Sequence, residues 1–143
     1  MTAYGPRAIA RKIRYSDITV TSTNAQTFDI TIPPSFWIDQ CFIVPVTDFA
    51  ASTSVTSVNV KVGTTGNDDI FYTSTDCKAL TTPSRIAAAS LTEDTTTILN
   101  GQGMVDRDNE GTVRATVTPT WSGTLTAGEF DIVLLGYQLP YPV

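Results

Sequence analysis

The chain has 143 residues and a formal net charge of −5 at neutral pH. Hydrophobic residues make up 41% of it and charged residues only 16%, which argues against intrinsic disorder. The length suffices for one domain and is too short for two. Threonine occurs 25 times, and β-branched side chains favour strands, so the composition predicts an all-β protein.

Several functional classes are excluded by what the sequence lacks. Histidine is absent, which removes the usual Ser–His and Cys–His dyads and the commonest metal ligand. The two cysteines, Cys41 and Cys77, are too few for an ordinary structural zinc site. Cys41 lies in the apolar segment WIDQCFIVPV, so we expect a buried thiol and no disulfide. No apolar run approaches the roughly 20 residues that span a bilayer, and no signal-peptide pattern is visible. We therefore expect no enzyme, no cofactor and no membrane association.

Charge divides the chain into two parts. Residues 1–16 carry a balance of +4 with no acid, whereas residues 17–143 carry 14 acids and five bases. We predict a basic N-terminal arm at 1–16 and a single domain at 17–143. The arm is the candidate binding element for an acidic protein surface, or else a solvated terminus. Nucleic acid is disfavoured, because the acidic body would repel phosphate. The candidate binding residues are Arg7, Arg11, Lys12 and Arg14.

Short strand patterns separated by turn signals follow one another along the chain. Val58, Val60 and Val62 alternate with polar residues, which is the period of a half-buried strand. Pro45 indicates an edge strand or a strand end. The predicted strands are Ile13 to Val20, Thr27 to Ile32, Trp37 to Val46, Val55 to Val62, Ile70 to Thr73, Thr95 to Leu99, Thr112 to Trp121 and Phe130 to Leu139.

Two segments do not fit that rhythm. Ile86 to Leu91 is compatible with one helical turn or with a strand, and Asn100 to Gly111 reads as a polar loop. The last strand, FDIVLLGYQL, is apolar on both faces, which predicts a central strand covered on both sides. Together the patterns predict an antiparallel β-sandwich, jelly-roll-like with Greek-key connections, carrying an extended N-terminal arm. An immunoglobulin-like sandwich is the nearest rival, but its Cys…Trp…Cys spacing is absent.

Residues 106–111, DRDNEG, resemble the first half of a calcium loop. Asp106, Asp108 and Glu110 supply oxygens at positions one, three and five, and Gly111 stands at position six. Position twelve, where a bidentate Glu belongs, is Val117, and flanking helices are not predicted. A turn is the preferred interpretation, and we predict no metal site.

The uncharged tail LGYQLPYPV leaves two interpretations open. Tyr137 and Tyr141 could belong to a sugar-binding surface, or the tail could lie against the core or a neighbouring subunit. The second is preferred, because sugar sites usually also need clustered acids and amides that the sequence does not place here.

Three segments resemble small structural proteins of tailed bacteriophages. They are VKVGTTGNDDIFYTSTD, the small-residue stretch Ala87-Ala88-Ala89-Ser90, and the closing TVRATVTPTWSGTLTAGEFDIVLLGYQL. The resemblance covers roughly residues 55–139 in composition and strand rhythm. It is to capsid decoration (cement) and head-fibre proteins, many of which are jelly rolls that trimerise on the shell.

The resemblance implies a non-enzymatic virion protein on the capsid exterior. The expected partners are the major capsid protein and further copies of the chain, with a trimer favoured. Basic arms such as residues 1–16 fit the way these proteins reach across capsid subunits. A tail or baseplate component, a head fibre and a carbohydrate-binding adsorption module remain the alternatives.

Overall fold

The computed structural model describes residues 6–86, 90–91, 98–99 and 101–140. This part of the chain forms two packed antiparallel sheets, which confirms the predicted all-β sandwich. A short 3-10 helix lies at Tyr15–Asp17. The strands are β1 Pro6–Arg14, β2 Gln26–Ile32, β3 Phe36–Ala51, β4 Ser54–Gly63, β5 Tyr72–Asp76, β6 Ile98–Leu99, β7 Gln102–Met104, β8 Gly111–Ser122 and β9 Leu125–Gln138.

The strand order places β9 and β8 at structurally central positions. Sheet A has the order β1-β9-β3-β7-β6, and sheet B has the order β2-β8-β4-β5. The chain changes sheet at most of its connections, so sequence neighbours such as β1 and β2 face each other across the core. β9 is therefore hydrogen-bonded on both sides, by β1 and by β3.

Two tight turns carry the chain between the sheets, at residues 52–53 and 123–124, and they touch each other. The Ser52 N–H donates to the Thr124 carbonyl at 2.8 Å, and the Thr124 N–H donates to Ser52 Oγ at 2.9 Å. Gly123 has φ +82, a region that L side chains rarely adopt, and a Cβ there would collide with Ser52 Oγ. A glycine is required at this turn by both conformation and space.

The core comes from the inward-facing residues of both sheets. Strand alternation places one side chain in two on the inside, as the period-two patterns predicted for β2, β4, β8 and β9. The central inward residues are Phe28, Ile30 and Ile32 of β2, Val58, Val60 and Val62 of β4, Val113, Ala115 and Val117 of β8, and Phe130, Ile132 and Leu134 of β9, all buried.

The N-terminal prediction is wrong in two respects. The first strand is Pro6–Arg14 and not Ile13 to Val20, and it pairs with β9 along its whole length. Residues 6–14 of the predicted extended arm are thus an edge strand of sheet A, while residues 1–5 lie outside the described residues. The inward side chains Ile9 and Ile13 pack on the core, and the long basic side chains between them hid that apolar spacing.

Other boundaries also differ from the predictions. Pro45 lies inside β3, a strand paired on both sides, where a register shift between Pro45 and Thr47 accommodates it. The predicted loop Asn100 to Gly111 contains β7, and β5 begins at Tyr72. The segment Ile86 to Leu91 includes residues 87–89, which lie outside the described residues. Residues 92–97, with most of the predicted strand Thr95 to Leu99, also lie outside them.

Candidate interaction site

The four candidate basic residues are brought together on β1, at one edge of sheet A. Register sets Lys12 opposite Asp131 and Arg14 opposite Glu129 on β9. Arg14 Nε lies 2.8 Å from Glu129 Oε1, and Lys12 Nζ lies 3.4 Å from Glu129 Oε2 and 3.6 Å from Asp131 Oδ1. The hydrogen bond from Arg14, aided by Lys12, holds the pKa of the Glu129 carboxyl below its usual value. Two of the four cations are thus already paired within the molecule.

The other two cations make no ion pair with the described residues. Arg7 Nη1 donates to the neutral side chain of Gln138 at 3.2 Å. Arg11 Nη1 donates to the carbonyl oxygen of Asp29 at 2.7 Å, and its guanidinium lies 5.4 Å from the centre of the Phe28 ring. Arg11 thereby bridges the open side of the sandwich between β1 and β2.

The outer face of sheet A carries an apolar patch that was not predicted from the sequence. Register aligns Ala10 with Val133 and Val133 with Phe42, and it sets Trp37 beside Tyr137. Trp37 is 37% exposed and Tyr137 is 38% exposed. We call this surface the apolar patch; it consists of Ala8 and Ala10 of β1, Trp37, Phe42 and Val44 of β3, and Val133, Leu135 and Tyr137 of β9, all exposed or partly exposed.

The prediction that β9 is covered on both sides is wrong for the described residues. The inward residues of β9 are buried by sheet B, but its outward residues Val133 and Leu135 remain partly exposed, with no third layer among the described strands. β9 is therefore a strand with one side buried in the core and an outward apolar side that no described strand covers.

Sheet B presents a chemically opposite outer face. Its central strand β8 and its neighbours expose hydroxyl groups, as at Thr27, Thr31 and Thr112. Asp29 and Arg114 form a paired contact there, with Arg114 Nε 2.8 Å from Asp29 Oδ1. The hydrogen bond from Arg114 is the main cause that holds the pKa of Asp29 below its usual value. The outer face of sheet B is therefore polar, whereas the outer face of sheet A carries the apolar patch next to the ion-paired residues Lys12, Arg14, Glu129 and Asp131.

The DRDNEG loop uses its first carboxylate to cap a turn. Asp106 Oδ1 accepts the N–H groups of Asp108 at 2.9 Å and Asn109 at 3.0 Å, and these bonds hold the pKa of Asp106 below its usual value. Ser35 fixes the loop from outside, donating its N–H to the Asp106 carbonyl. Within the described ranges, no group of three or more potential ligands is arranged for a metal ion.

Both cysteines are buried and unpaired, as predicted for Cys41. Desolvation raises the pKa of Cys77 to about 11 and raises that of Cys41 further. Thiols held protonated in this way are poor nucleophiles.

At the C-terminal end, Tyr137 lies in the apolar patch, while Tyr141 lies outside the described residues. No helix in the described segments is long and apolar enough to cross a bilayer. Comparisons with protein-family models, curated proteins and solved structures gave no significant match.

Proposed function

We propose that the chain is a structural protein of a bacteriophage particle, a decoration protein that binds the outside of the head and stabilises it without catalysis. The observation that carries this proposal is the apolar patch. Soluble monomers rarely leave a contiguous apolar surface uncovered, and such surfaces mark protein–protein contacts. Here the surface is built on three paired strands and includes two exposed aromatic residues, Trp37 and Tyr137, of the kind that dominate interface energetics.

The strand order supports a jelly-roll winding, the architecture expected from the resemblance. When the hairpin β6–β7 is counted as one position, each sheet has four positions, and the chain crosses to the other sheet at every connection except the one between β4 and β5. Two Greek keys wound together give that arrangement.

The proposed partner of the apolar patch is the major capsid protein. A footprint that spans neighbouring coat subunits opposes their separation under internal pressure. Several such contacts held in one oligomer, with a trimer favoured, add up through avidity. The oligomer would meet the shell with the apolar patch and present the hydroxyl-rich face of sheet B to solvent.

The test is binding to expanded heads of the phage that encodes the chain, measured by co-sedimentation. Val133→Gln and Phe42→Gln place an amide in the centre of the apolar patch and should weaken binding at least tenfold. Thr118→Gln on the outer face of sheet B is the matched control and should bind as the parent does. Equal binding by all three, with unchanged thermal midpoints, would overturn the proposal.

The favoured oligomer is tested separately. Sedimentation equilibrium of the free protein at tens of micromolar should show a trimer. A clean monomer would contradict self-association in solution, and mass measured on the particle would then decide whether trimers form on the shell.

A carbohydrate-binding adsorption module is the second candidate, favoured by one observation. Trp37 and Tyr137 are cross-strand neighbours with comparable exposure, and such a pair can stack on a sugar ring. Trp37→Ala would then abolish adsorption to host polysaccharide, whereas Val133→Gln, away from the aromatic pair, would leave that adsorption unchanged. Electron microscopy of particles separates the decoration function from a head-fibre, tail or baseplate position.

A further inference from the structure

We propose that the free edge of β1 is a docking site for an extended acidic strand of a partner protein, which adds to sheet A beside β1. The site shares Ala8 and Ala10 with the apolar patch, but it uses their backbone groups at the strand edge and the side chains on the other side of β1. Strand addition of this kind derives affinity from main-chain hydrogen bonds and selectivity from alternate side chains.

The backbone of β1 offers an open row of hydrogen-bonding groups. β1 is the terminal strand of sheet A and pairs only with β9 among the described strands. The Arg14 N–H donates to Asp17 Oδ2 at 2.9 Å and therefore does not point toward β9. Because directions alternate along an antiparallel strand, the N–H and C=O groups of Ala8, Ala10 and Lys12 also point away from β9. These three residues are exposed, and outside the strand ladders no hydrogen bond of the described residues involves their backbone groups.

The side chains of β1 leave room for a partner strand beside it but disfavour pairing with β1 of a second copy of the chain. Ala8 and Ala10 are small, so an approaching strand meets no bulky group. Two copies of β1 laid side by side would bring eight cations together, since each contributes Arg7, Arg11, Lys12 and Arg14. Like charges facing each other across strands are destabilising, which is a common protection of exposed edges. The cations of β1 would therefore attract an acidic strand and repel β1 of a second copy.

The pattern of the incoming strand follows from alternation. Arg7, Ile9, Arg11 and Ile13 share the side of β1 that faces sheet B, because Ile13 is buried there and Arg11 lies over Phe28. Arg7 and Arg11 lack carboxylate partners in the described structure. A partner strand would set acids opposite Arg7 and Arg11 and an apolar residue opposite Ile9. The recognised pattern is therefore acid-x-apolar-x-acid.

In the particle, this strand would belong to a coat subunit, and that assignment alone rests on the proposed function. The docking chemistry itself depends only on β1 and can be tested with the isolated protein.

The probe is the peptide Ac-VTETVTE-NH2, titrated into isotopically labelled protein and followed by amide NMR. Its two glutamates would face Arg11 and Arg7, and the valine between those glutamates would face Ile9. We expect saturable shifts at Ala8, Ala10 and Lys12, with slower hydrogen exchange at those amides. The matched peptide Ac-VTQTVTQ-NH2 should bind at least threefold weaker, and added salt should remove the difference.

Proline distinguishes strand addition from general charge attraction. Ala10→Pro removes an N–H that faces away from β9, so the β1–β9 ladder is retained while an incoming strand loses a donor and meets the ring. Ala10→Thr keeps the donor and is the control. Peptide binding should be lost in Ala10→Pro and kept in Ala10→Thr; Ala8→Pro replaces the first variant if that one fails to fold.

Three outcomes would overturn the inference. The first is the absence of NMR shifts at millimolar peptide, and the second is peptide-induced shifts that persist in the proline variants. The third is shifts in β1 that depend on protein concentration when no peptide is present, because these would mean that a second copy of the chain occupies the edge. If the peptide binds as expected but heads are not bound, the proposed function fails alone. If heads bind Ala10→Pro normally, the coat strand is not the occupant.

Discussion

Arg14 and Glu129 are direct cross-strand partners, and the hydrogen bond between Arg14 Nε and Glu129 Oε1 joins the edge strand to the centre of sheet A. Lys12 contacts the same carboxylate, so Glu129 forms ion pairs with two cations at once. The strand that carries most of the N-terminal positive charge is thus fastened by acids of the last strand.

Glu129→Gln should lower stability at neutral pH and have little effect in acid. The pKa of Glu129 is lower in the folded than in the unfolded protein, so its contribution is fully present above the unfolded value. That contribution is lost as pH falls through the folded pKa. Thermal midpoints of parent and variant should therefore converge below about pH 4.5. Glu110→Gln, an exposed loop change, is the control, and a constant difference down to pH 2 would contradict the mechanism.

Gly123→Ala should destabilise the protein by about 1–3 kcal/mol, the usual cost of a strained backbone conformation. The added Cβ meets Ser52 Oγ and sits at positive φ. Gly66→Ala is the matched control, because no atom lies within 4 Å of a Cβ placed there. Urea unfolding measures both changes, and equal effects would show that the turn between β8 and β9 tolerates a side chain.

Truncation of two neighbouring residues of β9 should destabilise the protein by very different amounts. Ile132→Ala opens a cavity in the core and should cost about 2–5 kcal/mol. Val133→Ala removes methyl groups from the apolar patch and should cost about 0.5 kcal/mol or less in the isolated protein. Chemical denaturation compares them, and similar costs would mean that the outer face is covered in solution.

The two thiols should resist modification in the folded state. With the pKa of Cys77 raised to about 11 and that of Cys41 raised further, almost no thiolate is present at pH 8. Reaction with a thiol reagent should be slow in buffer and fast in denaturant, with two thiols titrated after unfolding. Rapid labelling of one thiol in buffer would indicate that its site opens locally.

Sequence patterns predicted the strands whose inward residues are regular and apolar. Val58, Val60 and Val62 mark β4 unambiguously, and the same holds for Val113 and Val117 in β8. β1 was missed because the side of the strand that faces sheet B alternates Ile9 and Ile13 with the cations Arg7 and Arg11, which breaks the apolar period. β7 was missed because Gln102–Met104 is too short to show a period.

The surface features depended on the register between paired strands, which cannot be read from the sequence of one strand. The apolar character of Val133 and Leu135 was visible in the sequence. That Ala10 and Phe42 flank Val133 follows only from the pairing of β9 with both β1 and β3. Likewise, the basic character of residues 1–16 was plain, but the pairing of Lys12 and Arg14 with β9 was not.

Pro6 and Tyr137 are cross-strand partners, so the described chain enters and leaves sheet A at the same corner. A pull applied at the two ends would open the ladder between β1 and β9 one pair at a time, the weakest direction in which to load a sheet. A load applied across the outer face would instead be shared by β1, β9 and β3 together. Attachment through that face would let the sandwich bear tension between its neighbours without unzipping from its ends.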